Sequence, residues 1–224
     1  PILSRSGYGE QARFALRSLR EYEDRFDIYL APTGWGKLSW TWEDTEERRW
    51  IDSLVEKTAI FEGQTSQVPS VQKYDISLQV TIPNEWEKIA RVNIGYTAGI
   101  ETDRTSAVWI QKCLEMDKII VVSNHSKEVY ETTTYGMMNP QTKERTGTLK
   151  CETPITTVNY PVKDFNDCNP ADLGLDLGTD FNLLCVAQWG PRKNVHNTVE
   201  WFVEEFHDNE DVGLVLKVFH MNTS

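Results

Sequence analysis

Two carboxylates in a small, glycine-containing loop are the side chains of this chain best suited to acid–base chemistry. Glu101 and Asp103 stand two positions apart within residues 95–104, which follow a short predicted strand. In a tight loop, such carboxylates can take a proton from a substrate hydroxyl or accept a hydrogen bond from it. They can equally be solvated charges, and Asp103 can pair with Arg104. The sequence leaves these alternatives open.

A turn near the end of the chain carries two cations and precedes a predicted helix. Arg192 and Lys193 follow Gly190 and Pro191, and Asn194 is placed to cap the helix that begins after it. Free amide groups and the dipole at a helix N-terminus favour negative charge, so the cations and the helix end would attract the same ligand. The turn therefore predicts a diphosphate site. The simpler alternative is that the two cations lie in an exposed turn and bind no ligand.

A glycine-bracketed segment near the start also precedes a predicted helix. Gly7, Tyr8 and Gly9 come just before an amphipathic stripe that begins at Ala12. Glycines let the backbone approach a ligand closely, and the helix N-terminus favours an anion. We expect a loop that contacts phosphate or acceptor, while an ordinary glycine turn explains the same three residues.

A third polar segment follows a predicted strand that ends at Ile82. Asn84, Glu85 and Trp86 combine an amide, a carboxylate and an indole. Such a mixture suits sugar recognition, because hydroxyls can bond the polar groups while an apolar sugar face meets the ring. The three residues are therefore candidates for binding the acceptor. The simpler interpretation is a loop in which Trp86 packs against its own domain.

The elements that must position these residues alternate between strands and helices, which predicts an α/β fold with mostly parallel sheets. In such sheets ligands bind at the carboxyl ends of the strands, where the candidate segments lie. Residues 118–122 are an unbroken apolar run, typical of a strand covered on both faces. Residues 132–151 are polar and predict a surface excursion or a β-hairpin insertion rather than a core element. The other strands are predicted at residues 26–31, 74–81, 91–94, 155–160, 181–187 and 212–219, and the helices at 12–19, from about 43, 107–114, 124–130 and 195–206. Ser123 is placed to cap the helix at 124–130.

Two domains are predicted, the second of them incomplete. Residues 1–161 form the first, residues 162–179, rich in Asp, Asn, Pro and Gly, form a linker, and residues 180–224 open a second α/β unit. A domain that begins at residue 180 cannot be completed by residue 224, so we expect the chain to be a fragment of a longer natural protein. We also expect the fragment alone not to turn over.

Composition narrows the classes of partner. The formal charge of −11 argues against duplex nucleic acid, whose binding relies on clustered cations. No apolar run approaches the roughly 20 residues of a membrane-spanning helix, which predicts no transmembrane segment.

Four cysteines without a CxxC pair argue against a zinc site and favour reduced thiols in the cytoplasm. Cys113 and Cys185 fall in apolar patterns, and nothing decides whether Cys151 and Cys168 meet.

The motifs together resemble a family of retaining glycosyltransferases, family 4 of the GT-B type, also called glycosyl transferases group 1. Residues 94–103 and 116–127 are similar to the latter half of that family's N-terminal domain. Residues 4–10 resemble its first glycine loop, and residues 188–194 resemble the start of its nucleotide-sugar domain. The resemblance covers nearly the whole chain, and the order of the motifs is more specific than any one of them.

The resemblance implies two Rossmann-like domains, each a parallel sheet flanked by helices, here with the second domain only begun. It implies transfer of a sugar from a nucleotide diphosphate sugar to a glycan, lipid or protein acceptor with retention of configuration. No metal and no other cofactor is required. Donor phosphates in the family contact an Arg and, five positions on, a Lys. Lys193 matches that Lys, but Gln188 occupies the Arg position, and Arg192 is our candidate to supply the missing charge.

Some family features are absent from this sequence. Many members carry a His in the loop that corresponds to residues 97–101, and none stands there, so Glu101 is our substitute for acceptor contact or catalysis. The family's pair of glutamates would lie beyond residue 224. Two other functions remain open: a non-catalytic module that binds a carbohydrate or partner through its Trp-rich surface, and a nucleotide-sugar epimerase of the same architecture.

Overall fold

A parallel sheet of four strands organises the first part of the chain. The structure is a computed structural model that describes residues 1–36, 39–162 and 174–219. The chain divides into two compact units, Pro1–Lys163 and Asp164–Ser224. In chain order the elements are α1 (Gly7–Arg20), α2 (Glu46–Gln64), α3 (Ser70–Lys73), β1 (Ile76–Val80), β2 (Val92–Thr97), α4 (Ala107–Cys113), β3 (Lys118–Val121), α5 (Asn124–Thr132), β4 (Thr134–Met138), β5 (Arg145–Lys150), β6 (Ile155–Thr157), β7 (Phe181–Gln188), α6 (Val195–Phe206) and β8 (Val212–Phe219).

The sheet of the first unit has the order β1, β2, β3, β6, and all neighbouring strands are parallel. Parallel neighbours bring all four carboxyl ends to one edge, where the following loops must meet. β4 and β5 pair antiparallel outside this sheet, which is the β-hairpin alternative predicted for residues 132–151. The expectation that this segment lies outside the core is wrong, because Leu149 of β5 is buried in the core. The parallel sheet flanked by helices is consistent with a Rossmann-like α/β fold and confirms the predicted class.

Side-chain caps explain why several helices begin where they do. Ser6 Oγ accepts a hydrogen bond from Gly9 N, Thr45 Oγ1 from Arg48 N, and Ser123 Oγ from Ser126 N. Each cap satisfies an amide that has no partner inside the helix. The cap at Ser123 was predicted, whereas α1 begins earlier than the apolar stripe indicated and α2 begins three residues after the predicted start.

The core of the first unit consists of two clusters. One lies where α4, α5 and the β4–β5 hairpin meet β3 and β6, and the other lies between α1, α2 and the first residues of the chain. The buried members of the first cluster are Trp86, Ile110, Cys113, Met116, Ile119, Val121, Tyr130, Leu149 and Ile155, and those of the second are Ile2, Leu3, Ala12, Leu16, Ile51 and Leu54.

The predicted strand at residues 26–31 is wrong, because no strand forms there. Ile28 and Leu30 instead pack against the cluster between α1 and α2. The backbone amide of Leu30 donates to Thr58 Oγ1 of α2 at 2.7 Å rather than to a neighbouring strand. The apolar residues that suggested a strand therefore serve helix packing. The remaining predicted strands and helices form, with shifts at their ends.

The second unit contains two parallel strands and the helix between them. β7 and β8 pair in parallel along their whole lengths, from Phe181 opposite Val212 to Gln188 opposite Phe219. Residues 163–173 of the predicted linker, Cys168 among them, lie outside the described residues. None of the helices in the described ranges combines the length and apolar character needed to traverse a lipid bilayer.

Candidate functional site

A cavity of about 310 Å³ opens at the carboxyl ends of the parallel strands in the first unit. Its walls come from three segments that the parallel sheet brings together: the loop after β2, the start of α5 after β3, and the chain after β6. Ligands bind at this edge in open parallel sheets. The lining residues are Ala98, Gly99, Ile100, Glu101, Val122, Ser123, His125, Ser126 and Tyr160.

Gly99 allows the loop after β2 to lie directly on the start of α5. Its φ of +81° is in the left-handed region, and a Cβ at this position would stand 2.2 Å from Ser126 Oγ. No other residue fits such a contact without displacing the helix. Ser123 and Ser126 are hydrogen-bonded to each other at 3.0 Å, so the helix end that faces the cavity is well ordered.

Tyr8 of α1 fixes the same loop from the other side. Its hydroxyl lies 2.9 Å from Thr97 Oγ1, and the amide of Ala98 donates to it at 3.2 Å. Burial raises the pKa of the Tyr8 phenol above its ordinary value, so the group stays a neutral donor and acceptor. Tyr8 was predicted as a contact to phosphate or acceptor, and the structure gives it a positioning contact with the cavity wall.

The two carboxylates of the glycine-containing loop separate in the structure. Both are exposed, but Glu101 lines the cavity and Asp103 does not. Arg104, the possible partner of Asp103, instead donates to the carbonyl of Thr134 at 3.0 Å and lies over the ring of Tyr135. Of the predicted pair, Glu101 alone is therefore placed to act on a molecule in the cavity.

The glycine segment near the start is the first turn of α1 rather than a loop before it. The amide of Gly9 already donates to Ser6 Oγ at 2.9 Å. A Cβ at Gly9 would stand 2.1 Å from the carbonyl oxygen of Ser4, so this glycine is required for close packing. A Cβ at Gly7 would meet nothing within 4 Å, so the adjacent glycine carries no such constraint.

The prediction that Trp86 binds an acceptor is wrong. The side chain is fully buried in the core, and its indole N–H donates to the carbonyl of Gln79 at 3.2 Å. No ring face is left for a sugar. Asn84 and Glu85 are exposed in a 3₁₀ turn after β1, where Asn84 Oδ1 accepts from Trp109 Nε1 at 3.0 Å and the Glu85 carboxylate accepts from Thr81 Oγ1.

A smaller cavity, of about 210 Å³, lies after β7 in the second unit. Arg192 and Lys193 occupy the 3₁₀ turn Pro191–Lys193 at its edge, and Gln188 ends β7 just before it. The two cations are exposed but are not part of the lining itself. The lining residues are Trp189, Gly190, Pro191, Asn194 and His196.

Asn194 does not cap α6 in the predicted way. It occupies the N-cap position, but its φ of +52° is left-handed and its side chain makes no capping hydrogen bond. Its amide donates to the carbonyls of Gly190 and Pro191, so the turn folds back on itself. Asn is among the few residues that adopt this conformation readily, which explains its place here.

Both cavities contain residues that the sequence interpretation missed. His125 and Ser126 follow β3 and Tyr160 follows β6, so the rule that ligands meet segments after strands would have found them. Ser123 was instead assigned only a capping role, and His125 and Ser126 were included only in the family resemblance of residues 116–127. In the second unit, charge singled out Arg192 and Lys193, and the neighbouring His196 was missed. In the described ranges, no three His, Cys, Asp or Glu side chains are grouped as metal ligands.

Comparison with known proteins returned no match among family models, curated proteins or solved structures.

Proposed function

We propose that this chain acts in the transfer of a sugar from a nucleotide diphosphate sugar to an acceptor, with retention of configuration. The first unit takes the acceptor and the second unit takes the donor diphosphate. One observation carries the proposal: each unit has a cavity where parallel strands end and a helix begins. Such positions bind phosphates and hydroxylated ligands in α/β proteins generally. The resemblance of the motifs to retaining glycosyltransferases specifies the chemistry.

Glu101 is the proposed proton acceptor in the first unit. The acceptor hydroxyl attacks the anomeric carbon of the donor from the same face that the diphosphate leaves, as retention in a single step requires. The bond from that carbon to the diphosphate oxygen breaks, and the diphosphate leaves with the electron pair. The hydroxyl proton passes to the Glu101 carboxylate. His125, which lines the same cavity, is placed to hydrogen-bond the acceptor. Transfer of a proton by a positioned group of this kind contributes about 100-fold or more in rate.

Lys193 and Arg192 are proposed to neutralise the departing diphosphate in the second unit, together with the positive end of α6. Gln188 contributes only dipolar hydrogen bonds there. The exposed positions of both cations at the cavity edge support this role, because a phosphate can reach them without displacing core residues. No metal is required for the charge balance.

Calorimetric titration of the chain with UDP, GDP and ADP tests the diphosphate site. We expect Lys193→Ala to weaken binding about tenfold, which corresponds to one charge-assisted hydrogen bond. Lys217→Ala is the matched control, because it removes the same charge from an exposed position on β8. The proposal is contradicted if none of the three nucleotides binds. It is also contradicted if Lys193→Ala and Lys217→Ala weaken nucleotide binding equally.

Product analysis with a labelled nucleotide sugar, carried out on the natural full-length protein, separates the proposed reaction from its alternatives. Transfer that is lost in Glu101→Gln but kept in Asp103→Asn supports the role given to Glu101. Release of an isomerised nucleotide sugar would point to an epimerase. Carbohydrate binding that needs no nucleotide, with no nucleotide binding at all, would point to a non-catalytic module.

A further inference from the structure

Three tryptophans stand close together in the segment between α1 and α2, and two of them are largely exposed. Trp40 is 49% exposed and Trp42 is 79% exposed, while Trp35 packs against Tyr8 with ring centroids 4.6 Å apart. An exposed indole leaves a large apolar area in contact with water. Exposed tryptophans therefore mark interaction sites more often than scattered aliphatic side chains do. We call Trp40 and Trp42 the tryptophan pair.

The backbone holds the tryptophan pair in an extended segment. The amide of Thr41 donates to the carbonyl of Leu3 at 2.7 Å, and the amide of Arg5 donates to the carbonyl of Ser39 at 3.0 Å. In extended chain, residues two apart project to the same side and are roughly 6 to 7 Å apart. The hydrogen bonds hold the backbone around Trp40, and the two-residue spacing places Trp40 and Trp42 on the same side of this extended segment.

Polar groups border the pair. Arg5 and Glu43 form an ion pair at 2.6 Å next to Trp42, and the amide of Trp42 donates to the same carboxylate at 3.2 Å. Apolar ring faces beside a carboxylate and a guanidinium suit a sugar ring, whose C–H face is apolar and whose edge carries hydroxyls. Trp35, from the same stretch of chain, contacts the Tyr8 side chain that fixes the cavity loop.

The charge of the surroundings and the limited area of the tryptophan pair argue against other classes of ligand. The four carboxylates within residues 43–47 are each paired with an arginine, so they leave no excess of local charge beside Trp42 to attract an ion. The net charge of −11 disfavours an anionic membrane or a nucleic acid. Two tryptophans bury at most roughly 150–250 Å² each, well below the about 800 Å² per partner of a stable protein interface.

We propose that the tryptophan pair binds a neutral oligosaccharide by stacking on its sugar rings, with the Arg5–Glu43 pair meeting the hydroxyls. The role of this oligosaccharide as the acceptor rests on the proposed transferase function, whereas the binding itself does not. Of the three acceptor classes considered above (glycan, lipid and protein), two indoles that stack on sugar rings favour the glycan.

Titration with maltohexaose, cellohexaose and mannohexaose in the absence of nucleotide tests the inference, with tryptophan fluorescence and calorimetry as readouts. We expect millimolar or tighter binding of at least one oligosaccharide and a loss of about tenfold or more in Trp42→Ala. Trp42→Phe should retain part of the affinity because it keeps a ring face. Trp201→Ala removes a 59% exposed indole from the second unit and serves as the matched control, with unchanged binding expected.

Several outcomes would overturn the inference. They are the absence of binding to all three oligosaccharides, equal effects of Trp42→Ala and Trp201→Ala, and self-association in sedimentation that Trp42→Ala abolishes. Asp103→Asn and Lys217→Ala, which change exposed residues outside both cavities, should leave oligosaccharide binding intact. Oligosaccharide binding without nucleotide binding would contradict the transferase and retain the glycan site. Nucleotide binding without oligosaccharide binding would contradict the glycan site alone.

Discussion

The hydroxyl of Tyr8 and Oγ1 of Thr97 lie 2.9 Å apart, although 89 positions separate them in the chain. This contact joins the first turn of α1 to the end of β2 and thereby to the wall of the first cavity. Tyr8 also accepts a hydrogen bond from Ala98 N. The geometry of the cavity loop thus depends on a residue from a different part of the sequence.

Replacing Tyr8 by Phe removes this contact and leaves the Ala98 amide without its partner. A partly buried donor left unpaired costs about 1 to 2 kcal/mol, so we expect the free energy of unfolding in urea to fall by that amount. Hydrogen exchange at residues 97–100 should also become faster. Tyr29→Phe is the control, because its hydroxyl donates to the exposed Asp27 at 3.0 Å and its loss should cost little. Equal losses in both variants would contradict the positioning role.

Gly95 on β2 packs directly against the buried ring of Trp86. A Cβ at Gly95 would stand 2.6 Å from that ring, so Gly95→Ala should destabilise the chain by about 1 to 3 kcal/mol through overpacking. Gly63 in α2 has no atom within 4 Å of such a Cβ, and Gly63→Ala should instead stabilise by about 0.5 kcal/mol. Chemical denaturation of both variants measures the difference. A tolerated Gly95→Ala would contradict the packing of Trp86.

Cys151 is partly buried and packs against the core cluster that contains the fully buried Cys113. Interaction with the Cys113 thiol lowers the pKa of Cys151 below its ordinary value, and interaction with Cys151, together with burial, raises the pKa of Cys113. Since the thiolate is the reactive form, iodoacetamide at neutral pH should modify Cys151 well before Cys113. Peptide mass spectrometry after timed labelling measures both rates. Cys113→Ala should slow labelling at Cys151, and faster labelling of the buried Cys113 would contradict the prediction.

An ion pair between Arg17 and Glu47 joins α1 to α2, with Arg17 Nη2 and Glu47 Oε2 2.9 Å apart. The hydrogen bond from Arg17 lowers the pKa of Glu47 in the folded chain. A lowered carboxyl pKa gives stability that is present above the unfolded pKa of about 4.3 and is lost as the pH falls through the folded value. The pair is partly exposed, so Glu47→Gln should cost on the order of 1 kcal/mol or less at pH 7.

Thermal unfolding from pH 7 down to pH 3 tests this dependence on pH. The difference between the natural chain and Glu47→Gln should shrink as the pH falls. Glu56→Gln, at a position on the same helix for which no ion pair is described, should show no such convergence. A difference that stays constant across the range would contradict the assignment to Glu47.

Local patterns predicted most elements, because hydrophobic periodicity and capping act over a few neighbouring residues. Ser123 was identified as a cap from its type and place, and the apolar run at residues 118–122 became the central strand β3. Residues 26–31 show where such patterns fail. Their apolar residues suit a strand or an extended segment packed on helices, and only the position of α2 decides between the two.

The sequence by itself determined the α/β class and placed Glu101, Arg192 and Lys193 in segments that follow strands, since these follow from short-range order along the chain. Only the tertiary structure decided that Glu101 faces a cavity with His125, that Asp103 does not, and that Trp86 is sealed in the core. The physical reason is that burial and convergence depend on contacts between distant segments. The order of β1, β2, β3 and β6 in the sheet sets those contacts, and spacing along the chain does not reveal it.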